Sequence, residues 1–204
     1  MRRIALVCST VALLLATAAA PAMAAQPFKE SGTQNYLSSF SSDCSGTGNR
    51  TTCNESFLDV FPVAPDVSVV CFSMSTFAFN ERTGRGRLIS DENGCSETAS
   101  SALAVSVAGD TLTATLSDTS VTLFSCNRRT CTEAGTVSVS ASESGGPITP
   151  YSNRGSFKEG KCTFRFSFTG QRAEVAGTVT VDGTALAHQG GASTEDYRVS
   201  EQCR

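Results

Sequence analysis

Cys162-Thr163-Phe164-Arg165-Phe166-Ser167-Phe168-Thr169 sets a cysteine and three phenylalanines at every second position, with polar residues between them. Successive side chains of an extended chain point to opposite faces, so this stretch writes one apolar and one polar face onto a half-buried antiparallel strand. The phenylalanine stripe at 164, 166 and 168 is expected in the core. The same alternation recurs in Leu103, Val105 and Val107, and in Leu112, Ala114 and Leu116 against Thr111, Thr113 and Thr115. Val137, Val139 and Ala141 repeat it against Ser138, Ser140 and Ser142.

The turn residues agree with strands. Gly109-Asp110 and Asp182-Gly183 each separate two alternating runs by a dipeptide that tolerates positive φ, which is the sign of a tight hairpin. Asn93-Gly94 marks another turn, and Gly145 to Pro150 a longer loop. Val67 to Asn80 is irregular: its apolar face starts on Val67, Val69 and Cys71, yet later falls on both Phe72-Met74 and Phe77-Phe79. A β-bulge near Ser73–Thr76 accounts for that shift. No amphipathic helix follows the leader. Roughly nine to eleven short strands predict an all-β chain, an antiparallel β-sandwich stapled by disulfides, with an immunoglobulin-like or related two-sheet arrangement. A β-barrel is the alternative.

The first residues are an address. Arg2 and Arg3 precede an apolar run from Ile4 to Ala20, and Ala22-Met23-Ala24 supplies the small residues that signal peptidase requires. Residues 1–24 are therefore expected as a cleaved signal peptide, with Ala25 as the neighbouring cut, and the product as secreted and extracellular. Residues 25–55, rich in Ser, Gly, Thr and Asn, read as an N-terminal arm tied by a disulfide, with an edge strand around Tyr36 to Phe40. Residues 56–204 read as a single β domain. The richness in Ala, Gly, Ser and Thr, with arginine favoured over lysine, suggests a bacterial source of high GC content.

Of the 9 cysteines, Cys8 lies in the leader, which leaves Cys44, Cys53, Cys71, Cys95, Cys126, Cys131, Cys162 and Cys203. An even set in an exported chain reads as disulfides, and no C-x2-C pair points to zinc or iron–sulfur. Sequential pairing is expected, each cysteine with the next.

Function is less legible. Beyond the leader, 14 basic residues face 19 acidic ones, a balance that disfavours nucleic acid and anionic membranes as partners. His188 is the one histidine, so no multi-histidine metal site exists, and any serine hydrolase would have to use it. No G-x-S-x-G elbow accompanies it, and His188 is expected at the surface or in a loop. The neighbours Asp91-Glu92 and Glu195-Asp196 point to opposite faces of an extended chain, so neither forms a dyad. Arg82, Arg85 and Arg87, in a glycine-rich turn, and Arg128 and Arg129, between Cys126 and Cys131, are the candidate interaction loops. The expectation is a non-catalytic binding module for an extracellular protein or surface polymer, with no cofactor and no metal. The alternatives are a protease inhibitor presenting the Cys126–Cys131 loop and a hydrolase using His188.

Overall fold

The computed structural model describes residues 28–126 and 130–203. The expected signal peptide and the pair Arg128 and Arg129 lie outside the described residues. The described chain is all-β and antiparallel, with ten strands and one short 3-10 turn at Ser100–Ala102. The strands are β1 (Phe28–Thr47), β2 (Arg50–Ala64), β3 (Val67–Asn80), β4 (Arg85–Ala99) and β5 (Leu103–Ala108). They continue as β6 (Thr111–Cys126), β7 (Cys131–Gly145), β8 (Thr149–Glu159), β9 (Cys162–Val181) and β10 (Thr184–Cys203). No helix among the described residues is long and apolar enough to cross a membrane.

All ten strands share one hydrogen-bonded sheet. From β10 the ladder passes through β1, β2, β3, β4, β6, β7 and β9, and β9 pairs again with β10 from Cys162↔Cys203 to Val181↔Thr184. The path of pairings therefore returns to its start. β5 lies against the N-terminal half of β6, and β8 against the N-terminal half of β9. Two-residue hairpins fall on the two expected dipeptides, where Gly109 has φ 60° and Asp182 and Gly183 have φ 47° and 80°, and also on Gly48-Asn49 and Gly160-Lys161.

The core is built from the inward faces of β1, β2, β3, β6, β7, β9 and β10, with Leu103 at the start of β5. Leu37, Leu58, Val60, Val70, Phe72, Leu112, Leu116, Leu123, Val139 and Val179 are among its fully buried members. Burial alternates along the first part of β6, where Leu112, Ala114 and Leu116 are buried and Thr111, Thr115 and Ser117 exposed, and it changes parity at the register shift between Leu116 and Thr119 to bury Thr119, Val121 and Leu123.

Four expectations change. The segment read as an arm is β1 and the start of β2, with β1 held between β10 and β2 and burying Leu37 and Ser39. In β3 the buried face is Ser68, Val70 and Phe72 rather than Val67, Val69 and Cys71. The irregularity is a register shift at Thr76/Phe77, where Ser90 and Leu88 of β4 are the successive partners and Ile89 is the extra residue. Asn93-Gly94 is no turn but part of β4, and a Cβ on Gly94 would lie 1.9 Å from the Thr122 carbonyl oxygen of β6. Glycine there permits the close approach of two strand backbones.

The phenylalanine stripe is the fourth correction. In β9 the buried residues are Ala173, Val175, Val179 and Val181, on odd positions, whereas Phe164, Phe166 and Phe168 occupy the opposite face and are only half-buried. Phe164 stacks on Phe157 of β8 (centroids 4.9 Å apart), and Phe166 and Phe168 meet as a tilted pair (5.6 Å). β9 is 20 residues long, and its first half lies in a four-stranded wing of β8, β9, β10 and β1 outside the core.

The disulfides join Cys44 to Cys53, Cys71 to Cys95, Cys126 to Cys131 and Cys162 to Cys203, the sequential arrangement. Each bridge links two directly opposed residues of neighbouring strands. Their loops differ in length, from a separation of 5 for Cys126–Cys131 to 41 for Cys162–Cys203. Loop-closure entropy then makes the longer bridge worth about 2 kcal/mol more than the shorter. Urea unfolding of the Cys162→Ser/Cys203→Ser and Cys126→Ser/Cys131→Ser proteins should show that ordering, and equal losses would refute the entropic account.

Candidate functional site

The histidine is inside the fold. His188 of β10 is 3% exposed, and each ring nitrogen meets a serine: Nδ1 lies 3.1 Å from Ser39 Oγ of β1, and Nε2 lies 2.8 Å from Ser56 Oγ of β2. Ser39 Oγ also donates to Glu143 Oε1 of β7 at 2.6 Å. All four side chains are buried. The register explains their meeting. Gly177 of β9 pairs with both His188 and Glu143, and Ser39 pairs with Gly190, two residues beyond His188 on the same face. With no side chain at Gly177 or Gly190, the polar groups have room among Leu and Val neighbours.

The hydroxyl protons assign one direction to the chain. Ser39 spends its proton on Glu143, so His188 Nδ1–H donates to Ser39 Oγ, and Nε2 accepts from Ser56. That is a neutral imidazole. Burial holds its pKa down at about 4, opposed in part by a hydrogen bond that the ring donates to the Ser39 backbone. Glu143 moves the other way: burial raises its pKa, Ser39 opposes the rise, and its Oε2 is buried without a partner. A carboxyl that keeps its proton is the form such a setting favours.

A hydrolytic triad needs Nδ1 on a carboxylate and Nε2 on an accessible nucleophile. Here a serine stands between His188 and Glu143, and the hydroxyl at Nε2, on Ser56, is 5% exposed. The surface histidine expected from sequence is thus corrected. Its Gly- and Gln-rich surroundings resemble a loop, but they are strand residues crossing the interior.

A second constellation lies on the outer face of the wing. Glu195 of β10 receives two tyrosines, Tyr36 of β1 at Oε1 (2.9 Å) and Tyr151 of β8 at Oε2 (2.8 Å). Gly170, paired with both Tyr151 and Glu195, leaves the space in which they meet. Burial first, and then the bond to Glu195, raises the pKa of both phenols, so both stay donors. The Arg172 guanidinium stands 5.9 Å above the Tyr151 ring. These groups, with Asp59, Glu174 and the Gly146-Pro147 corner, line a groove of about 1080 Å³. Of the adjacent carboxylates weighed from sequence, Glu195 belongs to this groove, while Asp196 turns to the other face and is bonded by Thr33.

No family model matches this chain, and neither the curated proteins nor the solved structures contain a match to it. Site geometry is therefore the ground for any functional reading.

The remaining sequence candidates are dispersed. Arg82, Arg85 and Arg87 are exposed at the β3–β4 hairpin, with Arg82 in the turn and the other two at the start of β4. The inhibitor reading depends on Arg128 and Arg129, which fall between Cys126 and Cys131 in sequence and lie outside the described residues. Among the described residues the one group with metal-ligand proximity is Cys162, Glu201 and Cys203, whose two sulfurs are joined in a disulfide.

Proposed function

We propose that this chain is an exported, non-catalytic binding domain whose ring of paired strands is a closed β-barrel, and that it takes a surface polymer in the tyrosine-walled groove. The barrel reading rests on the pairing of β10 with both β1 and β9, since a ladder that returns to its start is what strand closure requires. The observation that carries the non-catalytic reading is the sealing of His188 between two buried serines. A general base must reach the proton it removes, and a neutral imidazole enclosed by core side chains touches no substrate.

Binding has better material. The groove is preformed, its two tyrosines are locked by Glu195, and its planar side chains converge on one space. Aromatic edges with carboxylate and guanidinium groups suit a hydroxyl-rich chain such as a neutral polysaccharide. Calorimetric titration with neutral glucan, mannan and chitin oligosaccharides tests this. One of them should bind, and Tyr151→Ala should weaken it by at least about tenfold, the loss of one well-placed contact, while His188→Gln leaves affinity unchanged. Hydrolysis of a polymer that disappears in His188→Gln, or binding indifferent to Tyr151→Ala, would overturn the reading.

A further inference from the structure

The opposite face of the same wing carries a different chemistry. Side chains that pair across antiparallel strands share a face, so the register places them without ambiguity. One row across β8, β9, β10 and β1 reads Ser156, Arg165, Ser200, Lys29. The next row, two residues along each strand, reads Arg154, Ser167, Arg198, Ser31. Cations and serines alternate both along and across the strands. Lys158 continues the face one row further out. All eight residues of the two rows line a single concavity of about 650 Å³.

The four cations form a zigzag, Arg154, Arg165, Arg198, Lys29, one on each strand. Strand spacing advances it by ~4.8 Å per step, and the offset between rows puts neighbouring cations ~8 Å apart at Cα. Lys29, Arg154, Arg165 and Arg198 are exposed, and none has an ion-pair partner among the described residues. The nearest carboxylate on this face, Asp196, sits at its inner end, where Thr33 bonds it. Four unpaired cations on one face of a chain with an acidic excess concentrate positive potential there.

We propose that this face binds a linear acidic polysaccharide, with successive carboxylate or sulfate groups on the zigzag cations and sugar hydroxyls on the intervening serines. The shape favours a thread-like polyanion over a lipid surface, because a planar bilayer does not enter a concavity. The composition favours a sugar over a nucleic acid strand: by register Phe157, Phe164, Phe166 and Phe168 belong to the other face, so serines rather than a row of stacking rings stand between the cations. Arginine forks match carboxylate and sulfate geometry, and serine hydroxyls both donate and accept. This site is distinct from the groove and does not depend on it.

The test is titration of the disulfide-intact protein at 50 and 200 mM salt, with an octagalacturonate, a heparin-derived octasaccharide, a twelve-residue oligothymidylate and phosphatidylglycerol vesicles. The acidic oligosaccharides should bind, and affinity should fall steeply with salt. Arg165→Ser/Arg198→Ser should weaken binding at least about tenfold and flatten the salt dependence, as expected when charge contacts are removed. Lys29→Ser/Arg154→Ser should do the same independently. Arg82→Ser/Arg85→Ser/Arg87→Ser removes more charge from a distant hairpin and should retain wild-type affinity. Preferential binding of the oligothymidylate or the vesicles, no binding of either acidic oligosaccharide, or equal losses in the hairpin variant would each overturn the proposal.

Discussion

Lowering the pH from 7 to 4 should remove about 2–3 kcal/mol of folding stability through His188 alone. The folded protein holds this imidazole at a pKa of about 4, against an ordinary value of 6.5. The unfolded chain therefore takes up the proton first as the solution is acidified. The His188 contribution is complete above pH 6.5, declines as the pH falls below that value, and is exhausted below about 4, and each unit of difference between the two pKa values contributes about 1.4 kcal/mol. Glu143 acts with the opposite sign. Its pKa is raised by burial, so its contribution is complete below the ordinary carboxyl range and is lost as the pH climbs through the folded value. Urea midpoints measured at half-unit intervals from pH 4 to 9 resolve the two. His188→Gln should flatten the acid limb relative to wild type. Glu143→Gln should remove the loss that accompanies rising pH and be the more stable protein at the highest pH. Parallel profiles for wild type and both variants would refute the buried neutral network.

The same network shows where sequence reading stops. His188 lies 149 residues from Ser39 and 132 from Ser56, and serine is so frequent that no single one stands out before the strands are paired. One signal was present in the chain. Glu143 interrupts the apolar phase set by Val137, Val139 and Ala141, and a carboxylate on a core face requires a polar partner. The disulfides were easier, because each joins facing residues of paired strands, and all four bridge a strand and its immediate successor. Period-two alternation located the strands for a comparable reason, since it is a local property of the backbone.

What alternation does not carry is the extent of the core along a strand. Phe164, Phe166 and Phe168 are the strongest apolar stripe in the chain, yet they belong to the wing, and the core face of β9 begins nine residues after Phe164 on the opposite parity. A strand of 20 residues leaves the core and continues as a two-faced sheet, with aromatic groups on one side and cations on the other. The arginines that stand out in sequence, at 82, 85 and 87, are clustered along the chain. The cations of the basic face, Lys29, Arg154, Arg165 and Arg198, are scattered over β1, β8, β9 and β10 and converge only through the register.

The seam between β1 and β10 closes the ring of pairings, and a one-carbon substitution there should have a large effect. A Cβ on Gly190 would stand 2.0 Å from the Ser38 carbonyl oxygen and 2.5 Å from the Ser39 Cα, both backbone atoms that no rotamer change can move. At Gly191, the next residue and on the opposite face, the nearest such atom is the Ala173 carbonyl oxygen at 3.8 Å, an ordinary contact. Gly190→Ala should therefore cost about 3–5 kcal/mol or prevent folding, the scale reached when a rigid core is overfilled. Gly191→Ala should be neutral or stabilising by about 0.4–1 kcal/mol, because it restricts the unfolded chain alone. The measurement is urea unfolding of the two variants side by side, and equal midpoints would refute the close approach. A second readout ties the seam to the buried network. Ser39 pairs directly with Gly190, so any Gly190→Ala protein that folds must move Ser39 away from His188 and admit solvent to the ring. Its imidazole should then titrate closer to 6.5 than to 4, while in Gly191→Ala it stays where burial holds it.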